Sequence, residues 1–232
     1  MTASAAPFFP YTNPAANMIL GQLLTNDIAD KHIFQAMEDI PREPFLPANL
    51  RGAAYVDGDL EIVTGRSLIA PLTFARLLDL ANITPSCRVL NIGCLTGYTA
   101  AIIARLAGHV VAIDSDASVI EAARGHMQRL GIRNVNLQPV AAMQDGYAQS
   151  APYDVIVISG AVHVISEMLG SQLSIGGRLV TVRNVASHPA FGGGLGKGLR
   201  VLRLDHKLQY REHFDASTPV LPGFESKEAF IF

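Results

Sequence analysis

The stretch "VLNIGCLTGYTAAIIARL", residues 89–106, decides how the rest of the chain is read. An apolar run suited to a buried strand ends at Ile92, and a helical pattern of small and apolar residues begins near Tyr98. Between them lies the turn Gly93-Cys94-Leu95-Thr96-Gly97, with glycine at both ends and leucine at the centre. Strand, glycine turn and helix is how many α/β proteins hold a nucleotide-like cofactor, because the turn lets backbone amides approach the ligand. Alone, a G-x-x-x-G turn is weakly specific, since it also marks plain strand–helix packing. Asp114 strengthens the reading. It closes the next apolar run, "VVAID", 21 positions after Gly93, where a carboxylate can accept hydrogen bonds from two ribose hydroxyls.

Working outward, the chain changes character after Thr84-Pro85. Strand "CRVLNI", a helix over 97–107, strand "HVVAID", helix "ASVIEAARGHMQRLG" and strands "VNLQPV" and "YDVIVIS" follow in order. Continuous apolar runs are what parallel strands buried on both faces require. Residues 87–92, 109–114, 135–140 and 153–158 are therefore predicted to be adjacent parallel strands. Their alternation with helices implies right-handed βαβ units in a doubly wound sheet. "EMLGSQLSIGGRLVTV" adds a helix, a Gly-Gly turn and a strand, and residues 199–232 alternate as antiparallel strands do, with "KEAFIF" the last. "GGGLGKG", 192–198, reads as a flexible loop. Upstream, Asn13 to Met37 carries apolar residues at helical spacing, "IPREPFLP" breaks the pattern with three prolines, and "PLTFARLLDLAN" starts a helix with proline at its first position. Two regions are expected: an N-terminal helical extension over 1–82 and an α/β core over 83–232.

The 232 residues, 49% hydrophobic and 16% charged with a formal net charge of -2, suit one core plus a small extension. Near-neutral charge argues against a nucleic-acid partner. No apolar run reaches about 18 residues and the N-terminus lacks a basic, then apolar, leader, so neither a membrane span nor a secretory signal is expected. Cys87 and Cys94 would lie about 20 Å apart along an extended strand, too far to pair, and without nearby histidines they make no metal site. Reduced thiols fit a cytoplasmic protein.

The segments "VLNIGCLTGYTAAIIARL", "VVAID", "APYDVIVISGAV" and "LSIGGRLVTV" resemble the successive motifs of S-adenosylmethionine-dependent methyltransferases. "ILGQLLTNDIADKHIFQAMEDIPREPFLP" resembles the N-terminal segment of protein-L-isoaspartate O-methyltransferases, and "FDASTPVLPGF…AFIF" a divergent bacterial branch of them. The resemblance runs from about residue 15 to 185. It implies a class I methyltransferase, Rossmann-like fold: a seven-stranded, doubly wound, mostly parallel sheet. It also implies S-adenosyl-L-methionine as cofactor, and methyl transfer to an isoaspartyl carboxylate of a damaged peptide or protein. The carboxylate is ionised at neutral pH, so positioning rather than a general base would supply the rate. Carried over by position, the cofactor contacts are Asn91, Gly93, Cys94, Gly97, Asp114 and Ser115. Arg66 and Ser67 are the candidate catalytic residues.

Three departures stand against that pattern. In "GRSLIAP", 65–71, the family has G-Q-T-I-S-x-P, so Arg66 replaces glutamine, Ser67 threonine, and Ile69 the serine of the active site. In the turn, the family has acid-x-G-x-G-x-G, so Asn91 replaces the acid and Leu95 the middle glycine. Leucine there costs roughly 1–2 kcal/mol if the backbone needs positive φ. Downstream, either Ala142 or Asp145 takes the place of an adenine-contacting aspartate. His163 is expected either to face the site or to cap the helix after it, and Ser217 or Thr218 to stand near the substrate. A carboxyl methyltransferase and a non-catalytic binding module of the same fold both remain open. A nicotinamide dehydrogenase is disfavoured, because "GCLTG" does not match G-x-G-x-x-G.

Overall fold

The computed structural model describes residues 13–186, 195–205 and 207–226. The "KEAFIF" segment, 227–232, lies outside them. Seven strands form the main sheet: β3 (Arg88–Ile92), β4 (His109–Asp114), β5 (Val135–Pro139), β6 (Tyr153–Val162), β7 (Leu173–Ala186), β8 (Leu195–Arg203) and β9 (Leu208–Ala216). Their order is β5-β4-β3-β6-β7-β8-β9, parallel from β5 to β7 and antiparallel beyond. The four predicted parallel strands are present and adjacent. A separate antiparallel hairpin, β1 (Leu60–Val63) and β2 (Arg66–Leu68), precedes the sheet.

Periodicity explains why the strand runs look uniformly apolar. In β6, Val155 and Val157 join one hydrophobic cluster while Ile156 and Ile158 join the other, on the opposite face of the sheet. Val110 and Ala112 alternate with Val111 and Ile113 of β4 in the same way. Side chains that alternate between two dry faces leave no polar position in the pattern. Helices α3 (Pro71–Ala81), α4 (Tyr98–Leu106) and α5 (Ala117–Arg129) line the first face. The same cluster takes in Met18, Ile33, Met37 and Phe45, so the N-terminal segment packs into the core of the sheet.

Two expectations are refined. The N-terminal helical pattern is broken into α1 (Pro14–Met18), a π turn over Ile19–Leu23, and α2 (Lys31–Asp39). The break falls where Asp27 takes φ 62, after which the Asp30 side chain caps α2 by accepting from the amides of His32 and Ile33. "GGGLGKG" is not wholly loop: Leu195 onward is β8. Gly196 and Gly198 answer to close packing, since a Cβ on Gly198 would fall 2.4 Å from the Phe214 ring. The β-strand reading of the C-terminal third holds for β8 and β9.

Strand order reverses at β3, with β4 on one side and β6 on the other, and the crevice beyond the carboxyl ends of β3 and β6 is the switch point where such sheets bind ligands. After β9 the chain returns across that crevice: the Leu221 amide donates to the Ala161 carbonyl at 2.9 Å and the Ala161 amide to the Pro219 carbonyl at 2.9 Å. This C-terminal strap lays Leu221 over the switch point.

Candidate functional site

The turn after β3 has positive φ at three alternate positions: Gly93 at 75°, Leu95 at 48° and Gly97 at 96°. Glycine suits all three, and Leu95 adopts the left-handed conformation at a cost of about 1–2 kcal/mol. What holds it there is visible. The Leu95 amide donates to Asp114 Oδ2 at 2.9 Å, and its side chain is buried. Gly97 is needed for a second reason: a Cβ would fall 2.9 Å from that of Ala123, where α5 crosses.

Asp114 closes β4 fully buried, beside the turn. Its carboxylate accepts four hydrogen bonds. Oδ1 takes Arg66 Nη1 at 2.9 Å and the Asp116 amide at 3.2 Å; Oδ2 takes Arg66 Nη2 at 2.6 Å and the Leu95 amide at 2.9 Å. A carboxylate offers about four lone-pair sites, so this one is saturated. Arg66 comes from β2 of the hairpin, is itself buried, and forms a bidentate pair of the strong fork-on-fork kind. Its Nε has no partner among the described residues.

Asn91 is spent on the core. Its Nδ2 donates to Ser159 Oγ at 2.8 Å and to the Val157 carbonyl at 3.3 Å, and its Oδ1 accepts from Thr99 Oγ1 at 2.9 Å. All three side chains are buried. Cys94 is buried too, and burial pushes its thiol well above its usual range, so no thiolate nucleophile stands here. Ser115 is exposed beside Asp114, and Ser67 is half-buried in β2 opposite Glu61.

Ile69, at the position of the serine in the resembled motif, lies in the hydrophobic core and is almost fully buried. Its carbonyl accepts from Arg42 Nη2 at 3.1 Å. Sequence reasoning passed over Arg42, whose only signal was a charge in the proline-rich "IPREPFLP". It is fully buried, donates from Nε to the Ala54 carbonyl at 2.7 Å, and lies 4.7 Å from the centroid of the Tyr98 ring. The N-terminal segment is thereby riveted to the exit of the hairpin and to the first residue of α4.

Leu221 was missed as well, and no local pattern announced it. A Cβ on Gly93 would fall 2.9 Å from Leu221 Cδ1 and 3.7 Å from Arg66 Nη2; a Cβ on Gly160 would fall 2.6 Å from Leu221 Cγ. Arginine and leucine thus meet over the glycine turn. Thr218, in the strap, is buried and hydrogen-bonds Asp59, whose carboxyl is pushed up from its usual range by burial. His163 ties the strap down: its amide donates to the Phe224 carbonyl at 2.9 Å, and its Nδ1 accepts from the Ser226 amide at 2.8 Å. Ala142 follows β5, the neighbour of β4, whereas Asp145 is exposed. Among the described residues no group of three or more His, Cys, Asp or Glu side chains could hold a metal, and no helix is long and apolar enough to cross a membrane.

Sheet order, glycine turn and strand-ending aspartate define a class I methyltransferase-type α/β domain. The sequence profile of the protein-L-isoaspartate(D-aspartate) O-methyltransferase family matches residues 15–188, and the chain belongs to that family. The protein-L-isoaspartate O-methyltransferase of Koribacter versatilis is 38% identical over 165 residues, 71% of this chain and 74% of its own. That of Methylorubrum extorquens is 38% identical over 163 residues, 70% of this chain and 71% of its own. In structure, a protein-L-isoaspartate O-methyltransferase superposes with a TM-score of 0.77 at 24% identity, over 91% of this chain and 67% of its own. A Plasmodium falciparum chain assigned to the same methyltransferase, solved with S-adenosyl-L-homocysteine, gives 0.70 at 16% identity over 91% and 99%. These two show the shared fold.

Proposed function

We propose that this chain is an S-adenosyl-L-methionine-dependent carboxyl O-methyltransferase of the isoaspartyl type, acting on a peptide or protein carboxylate, with a cofactor seat that is built but filled at rest. The observation that carries the reading is Asp114, held at the carboxyl end of β4 beside the positive-φ turn in a chain of this family. Tested against the cofactor, the resting arrangement does not fit. Every acceptor position of Asp114 is used, and Leu221 and Arg66 occupy the space over Gly93. Asn91 has no free acceptor aimed outward, because its amide is committed to Thr99, Ser159 and Val157.

The same features favour a second reading, a binding module that keeps the fold without turnover. Ile69 supports it further, since an isoleucine sunk in the core offers a carboxylate no hydrogen bond. Losing one well-placed hydrogen bond to a charged group costs about 1.5–3 kcal/mol, roughly 10- to 150-fold in rate. Methyl transfer to an isoaspartyl peptide separates the two. Slow turnover that disappears in Asp114→Asn supports the enzyme. Turnover no greater than a protein-free blank at saturating cofactor supports the module.

A further inference from the structure

The misfit at Asp114 has a definite form. A ribose presents two adjacent hydroxyl donors to a carboxylate, and Arg66 presents two adjacent N–H donors to the same two oxygens, at 2.9 and 2.6 Å. We propose that Arg66 is an intramolecular stand-in for the cofactor's ribose: a latch, carried by the β1–β2 hairpin, that must leave Asp114 before S-adenosyl-L-methionine binds. The inference rests on the cofactor reading given above.

Three observations support a latch rather than a permanent rivet. The hairpin is a sheet of its own, so withdrawing it breaks no hydrogen bond of the seven-stranded sheet. Its turn is exposed from Val63 to Gly65, and the Gly65 amide donates to Glu61 Oε1 at 2.7 Å within the hairpin, so the tip is bound to itself rather than buried against the sheet. Arg66 also leaves its buried Nε unpartnered among the described residues, and an unpaired buried donor is a cost that release into water removes. The other two bonds to Asp114 come from the backbone amides of Leu95 and Asp116, so the carboxylate stays aimed into the crevice when the guanidinium departs. Leu221 covers the same turn from the strap and is the second obstacle to be displaced.

A site that is open only part of the time binds with an affinity reduced by the open fraction. Removing the latch is therefore expected to tighten binding by about 10-fold or more. The experiment is a calorimetric titration of S-adenosyl-L-homocysteine into wild type, Arg66→Gln and the double variant Arg66→Gln with Asp114→Asn, each first shown to be folded by its thermal melt. Weak binding by wild type, tighter binding by Arg66→Gln and loss of binding in the double variant is the expected result. Equal affinities for wild type and Arg66→Gln overturn the latch and leave the cofactor reading standing. Absence of binding in both folded wild type and folded Arg66→Gln overturns the latch and the cofactor reading together. Should Arg66→Gln fail to fold, because Asp114 is left buried without a cation, Arg66→Lys takes its place. It keeps the charge and loses the fork, and an affinity equal to wild type then overturns the latch.

Discussion

Replacing Asn91 by aspartate restores the acid of the resembled motif, and the structure says this restoration damages the fold. Asn91 sits at zero exposure between β4 and β6, giving two hydrogen bonds through Nδ2 and taking one through Oδ1. A carboxylate can still accept from the Thr99 hydroxyl, and the Ser159 hydroxyl can turn to donate to it. It cannot donate to the Val157 carbonyl, which would face a negative oxygen at about the 3.3 Å now spanned by a hydrogen bond. Losing a buried hydrogen bond and leaving its acceptor unpaired costs about 1–3 kcal/mol. Burial without a cation also raises the new carboxyl above the roughly 3.9 of an unfolded aspartate. Its folded form then holds a proton that the unfolded chain releases, so stability falls as pH rises through that window. Urea denaturation of wild type and Asn91→Asp at about pH 5 and about pH 8 reads both effects, the deficit being larger at the higher pH. A variant as stable as wild type at both pH values would show that Asn91 is not knit into the core, and that its amide is available to a ligand.

Ile69→Ser, which recreates the serine of the resembled motif, trades a core side chain for a hydroxyl among apolar neighbours and is expected to cost about 2–5 kcal/mol without raising isoaspartyl turnover; denaturation and the methyl-transfer assay check it. At Leu95 the usual order of alanine over glycine is erased. Glycine recovers the roughly 1–2 kcal/mol of left-handed strain, which offsets its greater unfolded-chain entropy and missing methyl, so Leu95→Gly and Leu95→Ala should be equally destabilised within about 0.5 kcal/mol; a glycine variant worse by more than about 1 kcal/mol contradicts the positive φ. Asp59 has a carboxyl raised by burial, so its folded form binds a proton more tightly than the unfolded chain and stability declines as pH rises from about 3.9 toward the raised value. Asp59→Asn should flatten that decline in pH-dependent urea midpoints, and an unchanged slope would exclude Asp59 as its source.

How much of this was legible in the sequence follows from which interactions are local. The strands β3, β4 and β6 were readable because burial on two faces makes them mostly apolar runs, the half-polar edge strand β5 from its place in the strand–helix alternation, and the helices because their apolar spacing differs from that of the strands. Asp114 and the glycine turn were readable because they are fixed by the βαβ unit itself. The unusual Leu95 was visible as an exception, and its φ of 48° accounts for why glycine would otherwise be expected. What closes the site was not readable. Arg66 reaches Asp114 across 48 positions and Leu221 reaches Gly93 across more, and neither contact leaves a periodic trace. In sequence Arg66 stood as a candidate catalytic residue; in the fold its charge is already matched by Asp114. The N-terminal break at Asp27 was hidden for the opposite reason, since apolar spacing continued across it while a single left-handed residue redirected the chain.

The residues that close the site therefore act as a set. Leu95 keeps its amide on Asp114 Oδ2, Arg66 takes that same oxygen, and Leu221 packs over the turn that presents them. Groups that share one carboxylate and one crevice do not contribute additively, because removing either donor changes what the other must satisfy. Deleting Arg66 alone strands a buried carboxylate with two amide donors, while deleting Leu221 alone opens a crevice that the guanidinium still blocks. A single substitution toward the resembled pattern is thus a poor guide to what the site does. In a double-mutant cycle of Arg66→Gln and Leu221→Ala, read as affinity for S-adenosyl-L-homocysteine, the pair should exceed the sum of its parts. Strict additivity would mean that the two side chains guard separate spaces, and that only one of them covers the cofactor's seat.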